Sequence, residues 1–162
     1  MRLLPALPAA LLVAIVLVSC GGDGDDSPSF ADGVTVVTRQ LLAEASPDTA
    51  AGQLLELTRV IIPAGEGIAA HTHPGPQLAV IVSGTLTYTI IDGEATVTRA
   101  AATDAQTVET YASGDTTDLR AGDAVVEPTG MVHSAANETD QPVIIYLSSL
   151  FPAGAEPATT VQ

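Results

Sequence analysis

The chain of 162 residues has no tryptophan, no lysine, a single cysteine and only three histidines. Aromatic residues make up 3% of it, which argues against stacking platforms for sugars or nucleobases. One cysteine rules out an intramolecular disulfide. Positive charge is nearly absent: arginines at 2, 39, 59, 99 and 120 stand against nineteen acids, for a net charge of −14. Nucleic-acid binding needs a basic patch to neutralise phosphates, so no nucleic-acid partner is expected. The same imbalance disfavours an electrostatic grip on anionic lipid and favours solubility.

What is present divides the chain into four parts. "MRLLPALPAALLVAIVLVSC" has one positive charge, an apolar stretch and small residues at its end, the layout of an export signal. Its last four residues, "LVSC", resemble the lipobox of bacterial lipoproteins. That resemblance implies a signal peptide over residues 1–19, lipidation of Cys20, and a cell-envelope location with the membrane contacted only through that lipid. The alternative is an uncleaved anchor. Leu3 to Val18 is short against the ~20 residues of a spanning helix, and Pro5 and Pro8 interrupt it. Residues 20–32 include "GGDGDDSPS", which cannot bury apolar area and reads as a flexible acidic tether. Residues 33–152 are the expected folded domain, and residues 153–162 read as a frayed, disordered tail.

Within the domain the hydrophobic period is 2, and helical patterning is weak. Strands are predicted over residues 33–45, 53–63, 77–84, 85–92, 94–100, 105–111, 124–128 and 142–151, all rich in Val, Ile and Thr. Asp92-Gly93 between two such runs predicts a hairpin. Many short strands in one modest domain indicate a β-sandwich or barrel, the jelly roll among them.

The histidines are unevenly placed. His71 and His73 are two residues apart, and on a strand such residues project from one face. Gln77 has the same parity, although "PGP" at 74–76 interrupts the strand. Pro128 and Gly130 form a turn that would deliver His133 from another strand. Neutral imidazole is a common metal ligand, but an HxH pair alone is more often incidental.

Two spacings change that balance. Gly65, His71, His73, Gln77 and Gly84 resemble the first motif of the cupin superfamily, with glutamine where the family usually has glutamate. Gly122, Pro128, Gly130, His133 and Asn137 resemble the second motif without departure. The resemblance implies an all-β, single-domain, cupin-type jelly-roll β-barrel. It further implies one divalent transition metal ion, Mn, Fe, Ni, Cu or Zn, held by His71, His73, His133 and, in the glutamate's place, Gln77. Gly65, Gly84, Gly122, Pro128 and Gly130 would shape turns, and Asn137 would be structural. A homodimer is a further expectation of the family.

An amide oxygen carries no net charge, so a divalent ion held by three imidazoles and Gln77 would keep its full charge and favour a small anionic ligand. The competing arrangement is three histidines plus water. Glu127 and Glu66 are the nearby carboxylates; either is a candidate base, and each also reads as a solvated strand-end acid. Tyr88 is a candidate pocket residue or a core residue. Residues 101–118 read as an inserted hairpin or loop, in reach of the barrel mouth. Two functions remain open: a metal-dependent oxygenase resembling the quercetinase-like cupins, or a non-catalytic ligand- or metal-binding lipoprotein.

Overall fold

The computed structural model describes residues 36–162. The export signal, Cys20 and the acidic tether lie outside these residues. All regular structure among them is β: β1 (Thr38–Ala45), β2 (Gln53–Ile62), β3 (Gly67–Thr72), β4 (Gln77–Ser83), β5 (Thr85–Asp92), β6 (Glu94–Arg99), β7 (Thr107–Ala112), β8 (Thr116–Arg120), β9 (Ala124–Glu127), β10 (Val132–Ala136), β11 (Val143–Pro152) and β12 (Thr159–Thr160).

The strands form two sheets with antiparallel pairing throughout. Seven strands run in the order β1-β2-β11-β4-β9-β6-β7 and five in the order β12-β3-β10-β5-β8. From β2 onward the chain mostly alternates between sheets, so each half of the sandwich is built from sequence-distant strands. Alternation along each strand sends one side chain in two inward. Ile62, Ile90, Ala95, Val97 and Val143 are wholly buried between the sheets. Gly65, Gly84, Gly93, Gly114, Gly122 and Gly130 hold positive φ at crossings from one sheet to the other.

Three expectations are corrected. Asp92-Gly93 does not close a hairpin, because β5 and β6 belong to different sheets. Gly93, at φ 96°, turns the chain over the barrel corner against Met131. The segment 101–118 does not cover the barrel mouth: β7 extends the larger sheet beside β6, and β8 extends the smaller one beside β5. Arg99 fastens it, bonding Glu109 at 2.8 Å, Tyr111 at 2.7 Å, Thr117 at 2.6 Å and Asp123 at 2.8 Å. Nor is the C-terminus frayed. β12 pairs with β3, setting Thr159 opposite Thr72 and Thr160 opposite His71, and Val161 N donates to Ala70 O at 2.9 Å. β3 had an edge of unpaired backbone groups, and the β-branched Thr159 and Thr160 satisfy it.

Candidate metal centre

His71 lies near the end of β3, and His133 is its direct partner on β10. His73 follows β3 in the loop to β4. The ring centroids are 4.3 Å apart for His71 and His133, 4.9 Å for His71 and His73, and 5.2 Å for His73 and His133. All three are buried, and one ligand nitrogen from each falls within 4.8 Å of the others.

Two rings are fixed by backbone carbonyls. His71 Nδ1 lies 2.7 Å from Ala69 O, and His73 Nδ1 lies 2.7 Å from Pro157 O. A carbonyl can only accept, so each Nδ1 carries a proton, which leaves Nε2 as the ligating nitrogen of the neutral ring. Such orientation of a ligating imidazole through its other nitrogen is characteristic of metal sites. The C-terminal segment therefore contributes directly by setting the tautomer of His73. Phe151 stacks on the same ring at 5.8 Å.

Burial favours the neutral form of His71 and His133. Desolvation, followed by the neighbouring His71 and His73, lowers the pKa of His133 to about 3. His71 is lowered mainly by burial, opposed by its bond to Ala69. Neutral rings are what a metal requires.

The larger sheet supplies the remaining polar groups. Gln77 opens β4 and pairs with Glu127 at the end of β9. Both are about 3% exposed, so Glu127 is no solvated strand-end acid. Gln77 Nε2 donates to Glu127 Oε2 at 2.8 Å and lies 3.2 Å from His73 Nε2. A carboxylate oxygen at that distance demands a donor, which settles the amide's orientation. Gln77 Oε1 is buried without a hydrogen-bond partner. An orphaned acceptor costs ~1–3 kcal/mol unless a positive group meets it. Tyr88 Oη donates to Glu127 Oε1 at 2.9 Å, and its ring lies 5.1 Å from His133. Burial and then the Glu127 charge push the Tyr88 phenol upward, so it stays a donor.

Of the other sequence candidates, Glu66 is exposed in the turn between β2 and β3 and does not line the site. Asn137 is 1% exposed; its Nδ2 reaches Ile62 O, Pro63 O and Gln141 O within 3.0 Å, and its Oδ1 accepts from Thr139. It is a structural pin away from the histidines.

The histidines open onto a cavity of about 240 Å³ between the sheets. Its walls are mostly apolar, with Ile81, Leu86, Leu119, Val125, Ile145 and Leu147 among them, and Pro157 and Ala158 close one side. No residue of 101–118 lines it. The donor set fits a divalent transition ion: three buried imidazoles whose ligand atoms converge, beside an orphaned amide oxygen and a buried carboxylate.

Residues 58–104 match the family model of the Cupin domain. Among solved structures, the chain is similar to a cupin superfamily protein from Desulfitobacterium hafniense, with 14% identity over 72% of this chain and 79% of that one, at a TM-score of 0.50. It is also similar to oxalate oxidase in complex with the substrate analogue glycolate, with 18% identity over 77% of this chain and 55% of that one, at a TM-score of 0.52. No curated protein matches the chain. The fold is thus the cupin-type jelly-roll barrel, all-β, with its histidine cluster inside.

Proposed function

We propose that this protein is a mononuclear metal-binding cupin whose ion is held by His71, His73 and His133, with Gln77 Oε1 as a further donor, and whose cavity admits a small molecule. The observation that carries this reading is the convergence of three buried histidines within 4.8 Å, two of them with Nδ1 already committed to carbonyls. When bound, the ion supplies Lewis acidity toward an oxygen-bearing ligand. The protein's own part is to exclude water, through the apolar walls, and to orient that ligand. The cavity, at about 240 Å³, lies below the ~300–1,000 Å³ typical of drug-sized ligands. That favours a compact substrate with an apolar body. A metal-dependent oxygenase is the leading reaction class.

Metal analysis of natively purified protein should find one transition ion per chain, and removing it should lower the melting temperature. Oxygen uptake should then be measured with flavonols and small β-diketones. Uptake with the small diketones supports the oxygenase. Metal binding without turnover of either set supports the non-catalytic lipoprotein. Protein that takes up no metal overturns the reading altogether.

The same reading includes export and lipid anchorage through Cys20, on the strength of "LVSC" after an apolar run. Mass spectrometry of membrane-extracted protein should find a diacylglyceryl adduct on an N-terminal Cys20. An unmodified chain with another N-terminus would remove this part.

A further inference from the structure

The carboxylate that the first cupin motif usually carries is absent at residue 77, yet a carboxylate stands directly across the strand pair. Gln77 and Glu127 are register partners on β4 and β9. Glu127 Oε2 lies 3.5 Å from His73 Nε2, and Glu127 Oε1 lies 3.4 Å from His133 Nε2. These separations are long for an N–H···O hydrogen bond, whose usual length is ~2.9–3.0 Å. They suit two donors on one ion: at bond lengths of ~2.1 Å, tetrahedral ligands stand ~3.4 Å apart.

Gln77 Nε2 donates to Glu127 Oε2 at 2.8 Å and lies 3.2 Å from His73 Nε2, so one amide group spans the carboxylate and the imidazole and sets the carboxylate's position beside the histidines. The two donors bonded to Glu127, Tyr88 and Gln77, are both neutral. They orient the carboxylate without balancing its charge.

We propose that Glu127 supplies the anionic ligand of the metal centre: the carboxylate has been transposed from residue 77 to residue 127, and Gln77 and Tyr88 hold it in place. This rests on the metal-binding reading above. It changes the centre's electrostatics, because an ion held by three histidines and Glu127 keeps one net positive charge rather than two. Glu127 is then tied up as a ligand and is not free to act as a general base.

The transposition is tested by reversing it. Affinities for Zn²⁺ and Mn²⁺ would be measured by calorimetry on metal-stripped, full-length domain. Glu127→Gln should weaken binding at least tenfold. The double variant Glu127→Gln/Gln77→Glu returns the carboxylate to the other strand with the amide–carboxylate pair reversed, and should recover to within about threefold of wild type. Tyr88→Phe, which loosens the carboxylate without removing it, should cost less than Glu127→Gln. Unchanged affinity in a folded Glu127→Gln variant overturns the inference, as does a double variant no better than the single one. If Glu127→Gln fails to fold, the double variant decides alone. Failure of the wild type to bind either ion overturns the metal-binding reading instead, before any variant is compared.

Discussion

Replacing His133 with alanine should abolish the thermal stabilisation that divalent metal gives the wild-type protein. His71 and His73 belong to one short stretch of chain, whereas His133 arrives on β10, its direct register partner. An ion held by all three would close the long loop between them. Ligand binding to the native state alone stabilises by ~2.7 kcal/mol at a hundredfold excess over Kd. For a domain of this size that is on the order of 10 °C in melting temperature. Losing even a residue that only orients a ligand costs ~10–100-fold in metal affinity, so losing a ligand should cost more than ~100-fold. The measurement is the difference between melts with and without metal, since the truncation also leaves a void that lowers both. Glu66→Gln, in an exposed turn away from the cavity, should keep the full response. A His133→Ala protein that still gains the wild-type shift would place the ion elsewhere.

The same variant has a pH signature without metal. The His133 pKa is lowered to about 3 by burial and by His71 and His73, while in the unfolded chain a histidine titrates near ~6.5. Between these values the unfolded state binds more protons, so stability falls as pH falls through that window. His71, also lowered, adds to the slope. Denaturant titrations of metal-free protein should therefore be steeper in pH for wild type than for His133→Ala.

The histidines were legible from their spacing: two with the parity of one strand face, the second just past the end of β3, and a third after a Pro–Gly turn. Glu127 was harder to read. An acid before a proline at a strand end resembles a solvated residue, and only its shared parity with the buried Val125 placed it inward. All eight predicted strands are present, but β3, β8, β10 and β12 were not predicted as such. "GIAAHT" and "VHSAA" are poor in β-branched residues, and these strands exist because they pair with each other across the barrel. The C-terminal strand was hidden for the same reason. Gly154, Pro157 and the alanines read as tail, and nothing local marks Pro157 as the acceptor for His73. Tertiary pairing decided these elements over local propensity.

Gly75→Ala should be among the most damaging single-methyl substitutions in the protein. Residue 75 is the middle of "PGP", the bridge between His73 and Gln77, and it is buried against β11. A Cβ there would overlap the Leu150 carbonyl oxygen, which is backbone and cannot rotate away, and would press on Phe151 Cδ1 at 3.1 Å. Leu150 N also donates to Pro76 O at 3.1 Å, so the bridge and β11 cannot separate without losing that bond. Forced overpacking costs ~1–3 kcal/mol where side chains can shift, and more where backbone must move. A loss of about 3 kcal/mol or more is expected, on the order of 10 °C in melting temperature. The damage should also reach the metal centre. Phe151 stacks on His73, and both sit next to the displaced bridge. Metal affinity should therefore fall together with stability, whereas a core truncation far from the site, such as Val97→Ala on β6, should lower stability alone. If Gly75→Ala melts within a few degrees of wild type and binds metal normally, the bridge is not packed against β11 in this way, and the positioning of His73 and Gln77 must come from the strands themselves.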